Sequence, residues 1–155
     1  MCWECDHPGG DYYGEVVLPT IARFGWLVQW VEPTPLRGAL SYTVGLTDHD
    51  LPELVVTGLA GPPAAQLLNA AGDLLHERAV EAGELCSVGE RQLEVVAVPE
   101  PSFHLLTAAM LYGPRLRALQ LVHADDRGVW PWHRDHRGGT GGQPVLGPRT
   151  ARRTP

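Results

Sequence analysis

Residues 40–59 read LSYTVGLTDHDLPELVVTGL, and this run decides the fold. Its two ends, SYTV and ELVV, are short blocks rich in β-branched and aromatic residues, the composition of strands rather than helices. Between them lie Asp48, His49, Asp50 and Pro52, the chemistry of a tight connection. A third block of the same kind, WLVQWV at 26–31, comes before EPTPLRG at 32–38, whose prolines and glycine form a turn. Three such runs close together predict an antiparallel meander.

The pattern changes period on either side. Residues 61–83, GPPAAQLLNAAGDLLHERAVEAG, place Ala64, Leu67, Leu68, Ala71, Leu74 and Leu75 on one helical stripe. Prolines open that segment and Gly83 closes it. Upstream, DYYGEVVLPTIARFG at 11–25 has apolar residues at near-helical spacing, with a break expected at Pro19 and an end at Gly25. Downstream, LCSVGERQ and LEVVAV read as strands, and PSFHLLTAAMLYGP as a short helix ended by Gly113 and Pro114. RALQLVHA reads as a further strand, DDRG at 125–128 as its turn, and VWPW at 129–132 as its partner. The fold class is therefore α+β: one domain over 1–136, a largely antiparallel sheet with two to three helices packed on one face. Residues 137–155, rich in Gly, Pro and Arg, are expected to form an unpacked tail.

Composition excludes several functions. The net charge of −6 argues against nucleic-acid binding. No apolar run reaches the ~18–20 residues of a membrane span. An odd cysteine count of 3, with no signal-peptide pattern, points to a cytoplasmic chain with reduced thiols. All 12 basic residues are arginine, which removes a Walker-type phosphate loop and Schiff-base chemistry, since both need lysine.

The start of the chain, MCWECDHPGG, carries Cys2, Cys5 and His7. A Cys-x-x-Cys pair can aim two sulfurs at one ion, and the nearby imidazole makes zinc the expected metal, with iron as the alternative. A fourth ligand is expected from Cys86 or from any of His49, His104 or His123, with Asp48 and Trp130 as further candidate site residues. A redox pair and two plain reduced cysteines are the competing readings of the same residues. Haem attachment is out because Asp6 follows Cys5 where a histidine would be needed.

Two other groups carry chemistry. HADDRGVWPWHRDH gathers His123, Asp125, Asp126, His133, Asp135 and His136 beside Trp130 and Trp132. Its bland reading is a turn with the tryptophans capping the core. In the loop TDHDLPEL, a histidine flanked by carboxylates could carry protons. His104, in the short helix after Pro101, reads as a boundary residue.

CWECDHP, FGWLVQWV, SYTVGLTDHDLPELVVTGL, MLYGP, LQLVHADDRGVWPW and GGQPVLG occur in that order, from Cys2 to about Gly147. Together they resemble the actinobacterial family designated domain of unknown function 4262. That resemblance implies one continuous fold and assigns no activity, cofactor or catalytic residue. Relatives often carry Gly-His-Pro-Glu-Leu after TVGL; here Leu51 precedes Pro52, and the nearest histidine is His49.

These readings converge on a small metal-binding protein that acts in binding or as an accessory. A small metal-dependent or thiol-based enzyme is the alternative. Its partner would be a small molecule or a protein, and a homodimer is compatible with the composition.

Overall fold

The computed structural model describes residues 6–150. Six strands form one sheet: β1 (Leu27–Val31), β2 (Leu40–Val44), β3 (Glu53–Thr57), β4 (Leu85–Val88), β5 (Arg91–Ala97) and β6 (Ala118–His123). Their order across the sheet is β1-β2-β3-β6-β5-β4. Two antiparallel meanders, β1-β2-β3 and β4-β5-β6, are joined edge to edge by a parallel β3–β6 pair. The expected first meander is present, and the mostly antiparallel sheet with three α-helices makes the domain α+β.

The helices are α1 (Leu18–Phe24), α2 (Gly61–Glu77) and α3 (Leu106–Tyr112). Where the sequence suggested one helical face, the structure uses both. Leu40, Tyr42, Val44 and Val55 pack with Val17, Leu105, Ala108 and Tyr112, so α1 and α3 share one face. Leu54, Val56, Leu93, Val95 and Leu121 pack under Leu67, Leu68, Ala71 and Leu75 of α2. The cause is visible in β3, which is buried along its whole length rather than alternating. Each fully buried leucine or valine contributes about 1.5–3 kcal/mol of transfer free energy.

Local sequence explains the helix ends. A π-helical turn, Tyr13–Val17, runs directly into α1, and this wider turn accommodates Pro19, which has no N–H to bond the turn before it. The expected break at Pro19 thus becomes a change of helical pitch. Helix α2 stops at Glu77, short of the expected Gly83. There the sheet captures the chain, because Gly83 N donates to Val95 O at 2.7 Å and Val95 N donates to Glu84 O at 2.9 Å.

Two further expectations are corrected. The 129–132 segment is not a strand: β6 already has β3 on one side and β5 on the other, and Pro131 lacks a ladder donor. Residues 138–150 pack instead of hanging free. The Gln143 side chain accepts from His123 N at 2.9 Å and donates to His123 O at 2.8 Å. Leu146 N donates to Gln120 Oε1 at 2.7 Å, and Arg149 forms two bonds to the buried Glu94. Side-chain amides, one ion pair and the packing of Leu146 on the core hold this stretch.

Candidate functional site

The 45–50 loop between β2 and β3 is built around a buried carboxylate. Glu53 is fully buried and accepts five hydrogen bonds: Thr43 Oγ1 at 2.6 Å, Gly45 N at 2.9 Å, Leu46 N at 3.3 Å, and Thr47 N and Oγ1 at 3.0 Å each. Burial pushes its carboxyl above the usual carboxylate range, and the bonds from Thr43, Thr47 and Gly45 oppose that shift only in part. Gly45 adopts φ 131° and passes so close to the start of β1 that a Cβ there would lie 2.6 Å from Gly25 O. The loop therefore has one shape. It forms a 3-10 turn, Leu46–His49, that turns Asp48 and His49 outward.

Asp48 is held from the α3 side. Tyr112 Oη donates to Asp48 Oδ2 at 2.9 Å, and burial together with that carboxylate pushes the phenol far above its ordinary range. Arg115 lies over the Tyr112 ring, 6.0 Å from its centroid, and Arg117 donates to Asp50 O at 3.0 Å.

His49 reaches the other way, to α2. Its Nδ1 lies 2.7 Å from His76 Nε2, and His76 Nδ1 lies 2.8 Å from Gly72 O. A carbonyl only accepts, so His76 carries its proton on Nδ1 and presents a lone pair at Nε2. When both rings are neutral, His49 Nδ1–H then donates to His76, leaving the His49 Nε2 lone pair free. Trp26 stacks on His76, with centroids 5.4 Å apart and planes at 19°, and donates from Nε1 to Asn69 Oδ1 at 3.0 Å. Gly72 makes that stack possible, since a Cβ there would lie 2.8 Å from Trp26 Cζ2. Both imidazoles stand in solvent.

Cys2 and Cys5 lie outside the described residues. His7 is exposed in a turn closed by Gly10 N donating to His7 O at 2.9 Å. That turn leads into Tyr12, which bonds Gln29 of β1. The helical run from Tyr13 to Phe24 spans ~18 Å at 1.5 Å per residue, so His7 and His49 flank its opposite ends. Cys86 sits on β4, five strand spacings from β1, roughly 24 Å away at ~4.8 Å per spacing. It packs on the α2 side, and burial raises its thiol pKa. Among the described residues, no three His, Cys, Asp or Glu side chains are grouped to hold a metal ion.

The tryptophan segment is built as structure. Asp125 accepts from Arg137 N at 2.8 Å and from Val129 N and Arg127 N at 2.9 Å, which holds its carboxyl down at about 2. Trp130 and Trp132 stack on each other at 5.3 Å, and Arg149 covers Trp132 at 3.7 Å. His123 is buried, with its ring nitrogens 3.3 Å from Thr57 O and 3.4 Å from Ala124 O, and burial depresses its pKa. His136 is buried with Nδ1 on Val129 O at 2.8 Å, whereas His133 is exposed; the two do not form a pair. His104 follows the 3-10 turn Pro101–Phe103 and lies half-buried at the edge of a cavity.

Reasoning from sequence missed His76, Trp26, Tyr112 and Glu53. In the chain His76 is 27 residues from His49, and only the packing of α2 on the sheet joins them. Glu53 alone left a trace, as an acidic residue at the head of a strand with no polar alternation after it.

No helix among the described residues is long and apolar enough to cross a membrane. No curated protein and no solved structure matches the chain. A family model does match residues 20–137, covering both meanders, the Glu53-centred loop, helices α2 and α3 and most of α1. With more than half of its length matched in one continuous block, the chain belongs to the domain of unknown function family DUF4262.

Proposed function

We propose that this protein binds a zinc-class divalent cation and acts in binding or as an accessory. The observation that carries the reading is the convergence of His49 Nδ1 and His76 Nε2 at 2.7 Å, with His76 oriented by the Gly72 carbonyl. Metal-ligating histidines commonly give their second ring N–H to a backbone carbonyl, which fixes the tautomer and raises ligand basicity. Two zinc ligands at ~2.0–2.1 Å in tetrahedral geometry lie roughly 3.3 Å apart. The pair therefore has to open by about 0.6 Å, a displacement within reach of an exposed His49 side chain. The ion would replace the proton the two rings share, and water or a ligand would fill the remaining positions. Two imidazoles suit zinc, with iron as the second choice. The open setting, with both rings in solvent, supports binding over chemistry on an enclosed substrate.

Cys2, Cys5 and His7 are proposed as a second, thiolate-rich site for the same class of ion.

The test is zinc titration against a chromophoric chelator for wild type, His49→Gln, His76→Gln and a Cys2→Ser/Cys5→Ser double variant. Trp26 emission, read under copper quenching, reports the imidazole pair. A tenfold or greater loss of affinity in each histidine variant, with Trp26 quenching abolished, is expected. Wild-type zinc affinity in both histidine variants overturns the imidazole site. Unchanged stoichiometry in the cysteine variant overturns the second.

A further inference from the structure

Remote from the imidazole pair, between the β1–β2 hairpin and the start of α3, lies a cavity of about 510 Å³. Its volume falls within the ~300–1,000 Å³ range of small-molecule sites. Val31, Leu36, Phe103 and Leu106 form apolar walls, and Arg37 and Tyr42 contribute polar groups. Leu36, Phe103 and Leu106 are left 99%, 74% and 60% exposed, three large apolar side chains around one opening. Such a concentration of exposed apolar surface marks a binding site more often than chance does.

The polar groups are set up for an anion. Thr34 and Arg37 exchange backbone hydrogen bonds at 2.7 and 3.1 Å, closing a two-residue hairpin tip over Pro35 and Leu36. The tip fixes the base of Arg37 at the cavity edge, and no hydrogen bond or ion pair engages its guanidinium among the described residues. Tyr42 is 1% exposed, and its hydroxyl accepts from Thr107 N at 3.0 Å. The Thr107 hydroxyl also engages this phenol, so Tyr42 ties β2 to the start of α3. Burial pushes the phenol above its ordinary range and keeps it protonated, and the positive charge of Arg37 opposes that shift only slightly. A guanidinium at the edge of apolar walls is complementary to a carboxylate carrying an apolar tail.

We propose that this cavity binds a small amphipathic carboxylate, with Arg37 holding the carboxylate at the cavity edge and Val31, Leu36, Phe103 and Leu106 covering the tail. The site stands apart from the metal reading and survives its failure. Isothermal titration with sodium octanoate, and with 1-octanol as the uncharged counterpart, tests it in the full chain. Saturable one-to-one binding of octanoate is expected, with 1-octanol at least tenfold weaker. Arg37→Gln lowers octanoate affinity about tenfold and leaves 1-octanol unchanged, whereas Phe103→Glu weakens both. Arg37 and Phe103 are both exposed, so neither substitution endangers folding. The proposal is overturned by no saturable octanoate binding at millimolar concentration, by equal binding of octanol, or by wild-type affinity in Arg37→Gln. It is also overturned if sedimentation shows a dimer that Phe103→Glu dissolves and octanoate leaves intact, since the apolar opening is then a protein interface.

Discussion

Replacing Glu53 with glutamine tests whether one buried carboxylate holds the functional loop. The substitution keeps size and shape but exchanges one acceptor oxygen for an NH₂ group. If the amide oxygen takes the place of Oε1, it keeps Gly45 N, Thr47 N and Thr47 Oγ1. The new NH₂ then faces Leu46 N, a donor, and Thr43 Oγ1, which already accepts from Leu54 N at 2.9 Å. Two buried donors lose their acceptor at ~1–3 kcal/mol each, so a loss of about 2–4 kcal/mol is expected after partial rearrangement. At ~2–4 °C per kcal/mol for a chain of this size, the melting temperature falls by roughly 4–16 °C. Urea unfolding followed by tryptophan fluorescence and thermal melts followed by circular dichroism both measure it.

The pH dependence gives a second handle on the same residue. Because the folded carboxyl titrates above its ordinary range, the folded state favours the protonated form. The stabilising contribution of Glu53 is therefore fullest below the ordinary carboxyl value of ~4.3 and is lost as pH rises through the elevated folded value. The advantage of wild type over Glu53→Gln should shrink along that rise. A variant within ~0.5 kcal/mol of wild type at every pH would refute the reasoning, because it would mean the loop is held without Glu53.

Gly72→Ala, although it raises helix propensity by about 1 kcal/mol, should be destabilising overall by roughly 1–3 kcal/mol, because the new methyl meets Trp26. A shift in tryptophan emission would accompany the loss, and a more stable variant would show that the Trp26–His76 stack is dispensable. Arg149→Ala strips the partner from the buried Glu94; because Arg149 itself is 46% exposed, screening limits the expected loss to about 1–2 kcal/mol by urea unfolding. No loss would show that the last packed segment contributes nothing to stability. His123, whose folded pKa is depressed by burial, adds stability that is present above the unfolded value of ~6.5 and is lost as pH falls through the depressed one. His123→Asn should therefore flatten the decline in stability as pH falls below about 6.5, and an unchanged slope would place that decline on another group.

Local information sufficed for the elements whose own residues dictate them. SYTV and ELVV are strands because β-branched and aromatic side chains fit a pleated surface, and the stripe from Ala64 to Leu75 is a helix because its spacing matches one turn in 3.6 residues. The three-strand meander followed from nearness in sequence. Composition likewise singled out the Asp48–His49 loop as a place for chemistry. What local information could not supply is partnership across distance. The end of α2 at Glu77 is set by β5, which takes the chain at Gly83 and Glu84. Residues 129–132 are not a strand because both edges of β6 are already filled, a fact about the sheet and not about those residues. Residues 138–150 pack because Gln120 and Glu94 meet Leu146 and Arg149, and Gln143 reaches back to His123. His76 becomes a partner of His49 only when α2 docks on the sheet, and Glu53 becomes the centre of its loop only when burial removes water and leaves it five protein donors. Side-chain pattern reports which face a residue turns toward the core; it carries no record of which distant residue it will meet there.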